Sequence, residues 1–294
     1  MVFHILAMAM AVSLHVVPVA PQWPDTSLRW WLTPAPEMIR VAAMEPRLIP
    51  VDANQLFDFA CHPAVACFNT CCHDLNHFLY PYDVLRLSRH LRLPSGVFLE
   101  RYARVHAGPE TGLPVATLRL DPARRMACPF VGSAGCSVYP DRPAACRLYP
   151  LARAVRRSAD TGRLSEHFAL IQEAHCLGHG SGRRLSIAAW VQDQGLTAYH
   201  RMNDPFVEVI AVKRCAHPQS LSLAEEQLVR QALYDLDRFR ERVLARPAGD
   251  PLTASSPEIE QLATDNEALL LFAYRWVAAL LQGPARPEPV AGRH

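Results

Sequence analysis

Net charge is almost absent from this sequence. Its 30 Lys and Arg residues are balanced by 28 Asp and Glu residues, which leaves +2 with His counted as neutral. A chain balanced in this way has no general electrostatic attraction for nucleic acid or acidic lipid. The sequence also lacks a Gly-rich nucleotide-binding loop, an internal repeat and a low-complexity tract. We therefore expect a globular protein with no nucleic-acid partner and no membrane partner.

A long uninterrupted apolar run is also missing. Residues 1–20 are almost wholly apolar, but Pro18 and the Pro-rich stretch 21–24 end the run short of a confident membrane span. No Lys or Arg precedes the run, as one would in a signal peptide. We predict that residues 1–43 are a disordered leader or precede a true start at Met44, with a signal peptide second and an anchor third. N-terminal sequencing decides among these, and a mature end near Gln22 would contradict that ranking.

Cysteine is too scarce for a disulfide scaffold, since the 294 residues contain nine, an odd number. Eight of the nine lie between positions 61 and 176, and Cys215 stands apart as an expected structural thiol. Disulfides that stabilise a fold would be spread along the sequence and cross-link the whole chain, whereas clustered thiols favour metal binding. Because metal binding needs reduced thiols, we predict a cytoplasmic protein.

The spacing of the clustered cysteines is irregular. It runs Cys-x5-Cys-x3-Cys-Cys, then Cys-x7-Cys-x9-Cys, and 29 residues separate the last of these from the final cysteine. Only Cys67 and Cys71 approach zinc-finger spacing, and adjacent side chains such as those of Cys71 and Cys72 diverge too much to share one tetrahedral ion. Iron–sulfur clusters tolerate variable spacing, so an iron–sulfur cluster is favoured over zinc. The candidate metal ligands are Cys61, Cys67, Cys71, Cys72, Cys128, Cys136, Cys146 and Cys176.

Eight thiols suffice for two four-cysteine sites or for one cluster with a second metal, and the sequence leaves this open. Six nearby side chains could complete a mixed-ligand site: His62, His73, Asp74, His77, His175 and His179. For each single histidine, the ordinary surface or core position is the simpler interpretation.

The apolar pattern predicts an α+β fold that is mostly helical. Short strands are expected at 56–59 and 114–120, and helices at 81–93, 95–105, 163–175, 187–194, 223–243 and 257–282. Ser186 is the expected N-cap of the helix at 187–194, and Ser222 with Glu225 is the expected capping box of the helix at 223–243. We divide the chain into the leader, a compact cysteine-rich metal-binding domain at 44–182, a packed helical extension at 183–282 and a disordered tail at 283–294. The last helix is very apolar, but Arg275 interrupts it, so we expect it to pack against another helix.

Two arginines, Arg142 and Arg147, flank Cys146 within a proline-bounded segment. Guanidinium groups near thiolates lower the thiol pKa and offset the charge of a metal–thiolate site. The alternative is that these arginines bond Asp141 or backbone carbonyls and hold the loop shape. Arg153, Arg156 and Arg157 extend the positive stretch, either as a solvated face or as a receiver for an anion.

Taken together, these motifs resemble the YkgJ-like cysteine-cluster family, whose members are described as zinc- or iron-chelating. The matching pieces are Phe59-Ala60-Cys61, Cys67 with Cys71-Cys72, Cys128-Pro129-Phe130, Cys136-Ser137-Val138-Tyr139, Arg142-Pro143 with the segment 146–150, and Cys176-x-Gly178-x-Gly180. The resemblance covers about residues 56–180 and implies a bound metal.

One branch of that family is similar to the flagellin lysine N-methylase, which implies S-adenosylmethionine and an iron–sulfur cluster. The residues give no separate support for methyl transfer, because Cys67-x3-Cys71 is followed directly by Cys72 and the radical spacing is absent. The first hypothesis is a metal-binding protein. The alternatives are a protein lysine methyltransferase and a thiol-redox or metal-delivery protein that uses Cys71-Cys72. The partners would be metal ions and, under the alternatives, a protein substrate or a redox partner.

Overall fold

The computed structural model describes residues 46–75, 78–158, 161–247 and 249–283. The predicted leader at 1–43, the tail beyond residue 283 and the candidate ligand His77 lie outside these residues. The predicted fold class, α+β and mostly helical, is confirmed, since 45% of the described residues are helical and 21% are in strands.

The strands are short and pair antiparallel in four small sheets, ordered β1-β9-β8, β10-β2, β3-β5-β4 and β6-β7. Their bounds are β1 Arg47–Val51, β2 Leu56–Phe59, β3 Phe78–Leu79, β4 Ala103–Ala107, β5 Pro114–Leu118, β6 Val131–Gly132, β7 Gly135–Cys136, β8 Leu151–Arg157, β9 Leu164–Gln172 and β10 Arg183–Ser186. The predicted strands at 56–59 and 114–120 are thus present as β2 and β5.

Helices surround the sheets and fill the second half of the chain. Their bounds are α1 Pro81–Leu91, α2 Ser95–Tyr102, α3 Ala144–Leu148, α4 Ile187–Asp193, α5 Leu196–Asn203, α6 Phe206–Cys215, α7 Leu223–Tyr234, α8 Leu236–Ala245, α9 Ser256–Thr264 and α10 Asn266–Gln282. Local sequence signals determine where several helices begin. The Ser186 hydroxyl accepts from the N–H of Ala189 at the start of α4, and Ser222 and Glu225 form the predicted capping box of α7.

One hydrophobic core runs through both the cysteine-bearing segment and the helices. It extends from Phe57 to Leu281, and Trp276 of α10 and Tyr82 of α1 are fully buried in it. The predicted packing of the last helix is confirmed, and no helix among the described residues is long and apolar enough to cross a bilayer. The boundary predicted at residue 182 stays a prediction, although the elements on its two sides pack together.

The core predicts a measurable cost for a small truncation in α7. Val229 is fully buried, so Val229→Ala removes two methyl groups and leaves a cavity that should lower the free energy of unfolding by about 2 kcal/mol. Urea denaturation measures this loss. Leu223→Ala in the same helix is the matched control, because Leu223 is 80% exposed and its truncation should cost under about 0.5 kcal/mol. Equal effects of the two substitutions would contradict the packing of α7.

Three of the predicted helices are wrong: one segment contains a strand, and two are each divided into two helices. The segment predicted as helix at 163–175 contains strand β9, which is hydrogen-bonded to β1 on one side and to β8 on the other. Pairing on both edges satisfies its backbone and overrides the local pattern. The predicted helix at 223–243 is split at Asp235, whose carboxylate accepts the Ser95 hydroxyl at 3.1 Å. The predicted helix at 257–282 is split at Asp265, which caps α10 through the N–H groups of Glu267 and Ala268.

Candidate metal centre

The first four cysteines lie on an irregular segment between β2 and β3. Cys61 follows β2 by two residues, and a single turn of 3-10 helix, Thr70–Cys72, carries Cys71 and Cys72. Asn69 precedes this turn in the left-handed region, with φ of 67°, and its side-chain amide donates to the carbonyl of Gly132 at 3.2 Å. The turn is therefore fastened to the β6–β7 hairpin, which carries Cys136.

Four thiols form what we name the outer thiol group: Cys61, Cys67, Cys71 and Cys176. The backbone N–H of Leu177 donates to the sulfur of Cys67 at 3.1 Å, which brings the segment around Cys176 against the first cysteine segment. Burial, together with the neighbouring thiols of Cys71, Cys67 and Cys176, raises the pKa of Cys61 to about 11. Cys61 is nevertheless exposed as a residue, so this group lies at the surface.

The approach of the two segments depends on Gly178. The N–H of Ala60 donates to the carbonyl of Gly178 at 3.0 Å, and a Cβ added at position 178 would lie 2.3 Å from the carbonyl oxygen of Ala60. Glycine is therefore required by close backbone approach, which gives a physical reason for the Cys-x-Gly motif.

Gly178→Ala should consequently push residues 176–178 away from residue 60 and loosen the outer thiol group. We expect faster alkylation of Cys176 by iodoacetamide, by about tenfold or more, with residues outside this contact unchanged. Peptide mass spectrometry measures the rate at each cysteine. Gly180→Ala is the control for lost glycine flexibility, because Gly180 has φ of +72° but no atom within 4 Å of the added Cβ. Equal acceleration in both variants would contradict the steric explanation.

The remaining four thiols form the inner thiol group: Cys72, Cys128, Cys136 and Cys146. The N–H of Cys128 donates to the carbonyl of Cys72 at 2.8 Å, and Cys136 lies opposite Val131 in the β6–β7 hairpin. Burial raises the pKa of Cys128 to about 11 and also raises the pKa of Cys146, to which the thiols of Cys128 and Cys136 add. These mutual effects show that the members are neighbours in a buried environment.

Cys71 and Cys72 join the two groups. A hydrogen bond between their thiols lowers the pKa of Cys71 and raises the pKa of Cys72. All nine cysteines are free thiols, and Cys215 is exposed at the end of α6, outside both groups. The structure thus brings together the eight predicted ligands and leaves the ninth apart.

Burial raises the pKa of Cys128, Cys136 and Cys176, and nearby backbone N–H groups oppose that rise. They belong to Phe130 and Val131 for Cys128, to Val138 for Cys136 and to Gly178 for Cys176. Such donors stabilise a thiolate and are a feature of iron–sulfur sites, where they tune the cluster. By this test the donor set fits a metal–thiolate centre. Across the described ranges, however, no three Cys, His, Asp or Glu side chains are already arranged as ligands of one ion.

The two arginines beside Cys146 bond backbone carbonyls and hold the loop, as the structural interpretation predicts. Arg147 donates to the carbonyl oxygens of Arg142 at 3.1 Å and Gln194 at 2.7 Å, and also to that of Pro140. Arg142 donates to the carbonyl of Tyr139 at 2.9 Å and to the side chain of Gln194. Burial raises the pKa of the Cys61 and Cys136 thiols, and the charge of Arg142 offsets part of that rise, so this residue both holds the loop and acts on the thiols.

Of the arginines further along, two are already paired with carboxylates. Arg153 binds Asp204 at 2.6 Å and Glu166 at 3.1 Å, and Arg157 lies 3.3 Å from Glu208. The predicted positive stretch is therefore largely neutralised by its own neighbours.

The flanking histidines and Asp74 are placed as follows. His62 accepts from the N–H of Ala64, the ring of His73 bonds the carbonyl of Arg125, and the N–H of Asp74 donates to the carbonyl of Met126. His175 lies 3.6 Å from Glu173, which accepts from the hydroxyl of Tyr149 at 3.0 Å. The ring of His179 packs against Phe59 at 5.4 Å, and its Nε2 atom is buried without a hydrogen-bond partner.

Asp83 is a site residue that the sequence reasoning missed. It is fully buried and accepts from the N–H of Tyr80 at 2.9 Å and from the N–H of Ala144 at 2.8 Å. It therefore caps α1 and fixes the start of α3, the helix that carries Cys146. The available signal was its place two residues after Pro81, in the first turn of a helix.

Removing this carboxylate should weaken the attachment of α3. Asp83→Ala leaves two buried N–H groups without acceptors and should lower the free energy of unfolding by about 2–4 kcal/mol, measured by urea denaturation. Asp52→Ala is the control, because Asp52 is exposed and should cost under about 0.5 kcal/mol. A loss no larger than that of the control would contradict the bridging role.

The same carboxylate predicts a pH dependence. Burial raises the pKa of Asp83 to about 7 from an ordinary value of 3.8, so between these values the folded protein holds a proton that the unfolded chain has lost. The free energy of unfolding contributed by this group therefore falls as the pH rises from about 4 to about 7. Urea denaturation over that range should show a shallower fall for Asp83→Asn than for the unsubstituted protein. Identical slopes would contradict a raised pKa.

Comparison with known proteins identifies the cysteine-bearing segment. Residues 60–176 match a family model, CxxCxxCC, described as a "putative zinc- or iron-chelating domain". Searches of curated proteins and of solved structures gave no significant match. The matched range begins one residue before Cys61 and ends at Cys176, so it contains both thiol groups. The cysteine-bearing part of the chain is therefore similar to this zinc- or iron-chelating cysteine-cluster domain, and the match covers less than half of the chain.

Proposed function

We propose that this protein binds metal through the eight thiols of the outer and inner groups, with an iron–sulfur cluster favoured and zinc as the other outcome. The observation that carries the proposal is the gathering of thiols from distant parts of the chain, with backbone N–H groups directed at their sulfurs. Thiolate ligands suit both zinc and iron–sulfur clusters. The family match supports zinc or iron chelation.

The protonation of the thiols determines what must accompany metal binding. Burial raises the pKa of Cys61 and Cys128 to about 11, so both are protonated at neutral pH when no cation is present. Metal binding must therefore release protons from these thiols, and the affinity should rise with pH. Reduced thiols are required throughout, which supports the proposal of a cytoplasmic location.

Thermal unfolding tests this proposal without any assay of activity. Protein freed of metal by a chelator under anaerobic conditions should melt at least about 10 °C below the same protein reloaded with iron and sulfide or with zinc, because metal binding contributes directly to folding. A reloading control with magnesium should give no shift, since magnesium prefers oxygen ligands. Equal melting temperatures with and without zinc or iron would contradict the proposal.

The two alternatives from the sequence stay hypotheses. Lysine methylation requires a site for S-adenosylmethionine beside the thiols, and saturable binding of that compound to loaded protein would support it. A cavity of about 1030 Å³ lies by α2 and the start of α8, lined by residues such as Gly96, Arg119 and Asp235 and by no cysteine, so it gives methylation no support. A thiol-redox role would use a disulfide between Cys71 and Cys72, which is strained in adjacent residues, whereas a metal-delivery role would pass metal from these thiols to a partner protein.

A further inference from the structure

The cavity of about 1030 Å³ is lined by residues of the β4–β5 hairpin and of helices α2, α7 and α8, and none of them is a cysteine. Sites for small molecules typically measure about 300–1,000 Å³, so a molecule of cofactor size fits here. We name it the arginine cavity after four side chains that line it: Arg104, Arg119, Arg230 and Arg238. The molecule thus has a concave site that the thiols do not share.

The β4–β5 hairpin directs two of these arginines into the cavity. Arg104 lies opposite Thr117, and Arg119 follows Thr117 by two residues, with its N–H donating to the carbonyl of Tyr102 at 2.8 Å. Side chains alternate along a strand and opposite residues share a face, so Arg104, Thr117 and Arg119 point the same way. The intervening positions are core residues, each at most 7% exposed: Ala103, Ala116 and Leu118. Strand alternation therefore keeps the two arginines out of the core.

Two acidic side chains of the lining are engaged at the start of α2. Asp237 accepts from the N–H of Ser95 at 2.6 Å and from its hydroxyl at 2.7 Å. Asp235 lies 3.6 Å from Arg238, and a Cβ added at Gly96 would lie 3.0 Å from the carboxylate of Asp235. Glycine therefore makes room for this carboxylate. The N-terminus of α2, which attracts anions, is thus already occupied by carboxylates of the chain itself.

The other three arginines have no carboxylate partner in the part of the chain that the structure describes. Arg104, Arg119 and Arg230 form no ion pair there, and Glu100, also in the lining, is not within ion-pair distance of any of them. Arg119 donates one hydrogen bond, to the carbonyl of Ala103 at 3.1 Å. Like charges around a concave surface concentrate anions there. The remaining N–H donors of these arginines therefore suit an anion from solution.

We propose that the arginine cavity binds a small molecule that bears a phosphate group, with Arg104, Arg119 and Arg230 as its ligands. A guanidinium presents a planar fork of N–H donors that fits phosphate oxygens. Phosphate is favoured over carboxylate because the guanidinium groups come from two walls, the hairpin and α7, and a tetrahedral anion accepts from several directions at once. The site is separate from the metal-binding thiols and goes beyond the proposed function.

Isothermal titration calorimetry of the anaerobically purified full chain tests the proposal, with adenosine monophosphate and fructose 1,6-bisphosphate as probes. We expect saturable binding of at least one probe with a Kd below about 1 mM. This binding should weaken several-fold between about 50 mM and about 300 mM NaCl, because salt screens the arginines. Adenosine and fructose, which lack phosphate, should not bind. Absence of binding by both phosphorylated probes, or equal binding of their unphosphorylated counterparts, would overturn the proposal.

Substitutions on the two walls locate the binding. Arg104→Gln and Arg230→Gln should each weaken it by about tenfold or more, since each removes charged donors to the phosphate. Both arginines are exposed, so the melting temperature should stay within about 2 °C of that of the unsubstituted protein. Arg156→Gln is the matched control, because Arg156 is exposed on β8 and outside the lining. Equal binding by the control and both cavity variants would overturn the assigned site.

Phosphate groups also occur in lipids, so a flotation assay with vesicles of phosphatidic acid and phosphatidylcholine separates the two sources. We expect no flotation beyond that with phosphatidylcholine alone. Binding to the phosphatidic acid vesicles without binding of either soluble probe would overturn the assignment to a small molecule. Metal content is measured on the same samples, and failure of phosphate binding with metal retained would leave the proposed function intact.

Discussion

Replacing Cys146 by Ser is expected to release metal from the inner thiol group and to lower the melting temperature by roughly 5–12 °C. Cys146 is on α3 among the thiols of Cys72, Cys128 and Cys136, and burial raises its pKa. A hydroxyl ligates zinc or iron far less well than a thiolate, so the folding energy supplied by the metal is lost. A cost of about 3 kcal/mol gives a shift of this size for a chain this long.

The control for this substitution is Cys215→Ser. Cys215 is exposed at the end of α6 and belongs to neither thiol group, so its replacement should change the free energy of unfolding by no more than about 0.5 kcal/mol. Metal content and melting temperature are measured on both variants from the same preparation. If Cys146→Ser keeps its metal and melts with the control, Cys146 is not a ligand.

Arg147→Met is expected to lower the free energy of unfolding by about 3–5 kcal/mol. Arg147 is 8% exposed, and its guanidinium donates to the carbonyls of Pro140, Arg142 and Gln194. Methionine fills much of the space, but it removes the donor from the carbonyls of Pro140 and Gln194 and leaves that of Arg142 with only the Tyr199 hydroxyl. Removing one partner of a buried network costs several kcal/mol. The cation–π contact with Tyr199, at 4.8 Å from its ring centre, is lost as well.

Arg156→Met is the matched control for Arg147, because Arg156 is exposed on β8 and its change should cost under about 0.5 kcal/mol. Arg147→Lys separates charge from shape: lysine keeps the positive charge but lacks the planar fork that reaches several carbonyls, so it should recover little of the loss. Urea denaturation measures all three variants. If Arg147→Lys recovered the full free energy of unfolding, the positive charge alone would be sufficient. That result would contradict a role for the planar guanidinium in holding this loop through several carbonyls.

Local signals in the sequence were sufficient for elements that begin with a strong cap or follow a clear pattern. Helix α1 begins at the predicted Pro81, and α4 and α7 begin at their predicted serine caps. The β8–β9 hairpin could not be predicted in the same way, because β9 owes its form to two partner strands, one of them more than a hundred residues away. The helix break at Asp235 was hidden as well, because its carboxylate accepts from the hydroxyl of Ser95, a residue brought close only by the fold. The break at Asp265 depends on cap geometry, in which the carboxylate accepts from the N–H of Glu267.

The eight cysteines could be proposed as ligands from the sequence alone, because clustering of one residue type is visible there, and their role as ligands stays a prediction. The contacts between their segments could not be predicted, since they join distant positions: the N–H of Cys128 donates to the carbonyl of Cys72, and the N–H of Leu177 donates to the sulfur of Cys67. The supporting role of Asp83 depends on Ala144, 61 residues away, and was equally hidden.

The measurement that tests metal binding most directly is anaerobic purification followed by an absorption spectrum, with iron, zinc and sulfide quantified on the same sample. Metal binding through these thiols predicts a brown protein with thiolate-to-iron absorption and sulfide that matches its iron, or else a colourless protein with stoichiometric zinc. The first result would select an iron–sulfur cluster, and the second would exclude methylation through such a cluster. A folded protein that carries neither metal, and takes up neither on reloading, would contradict the central claim.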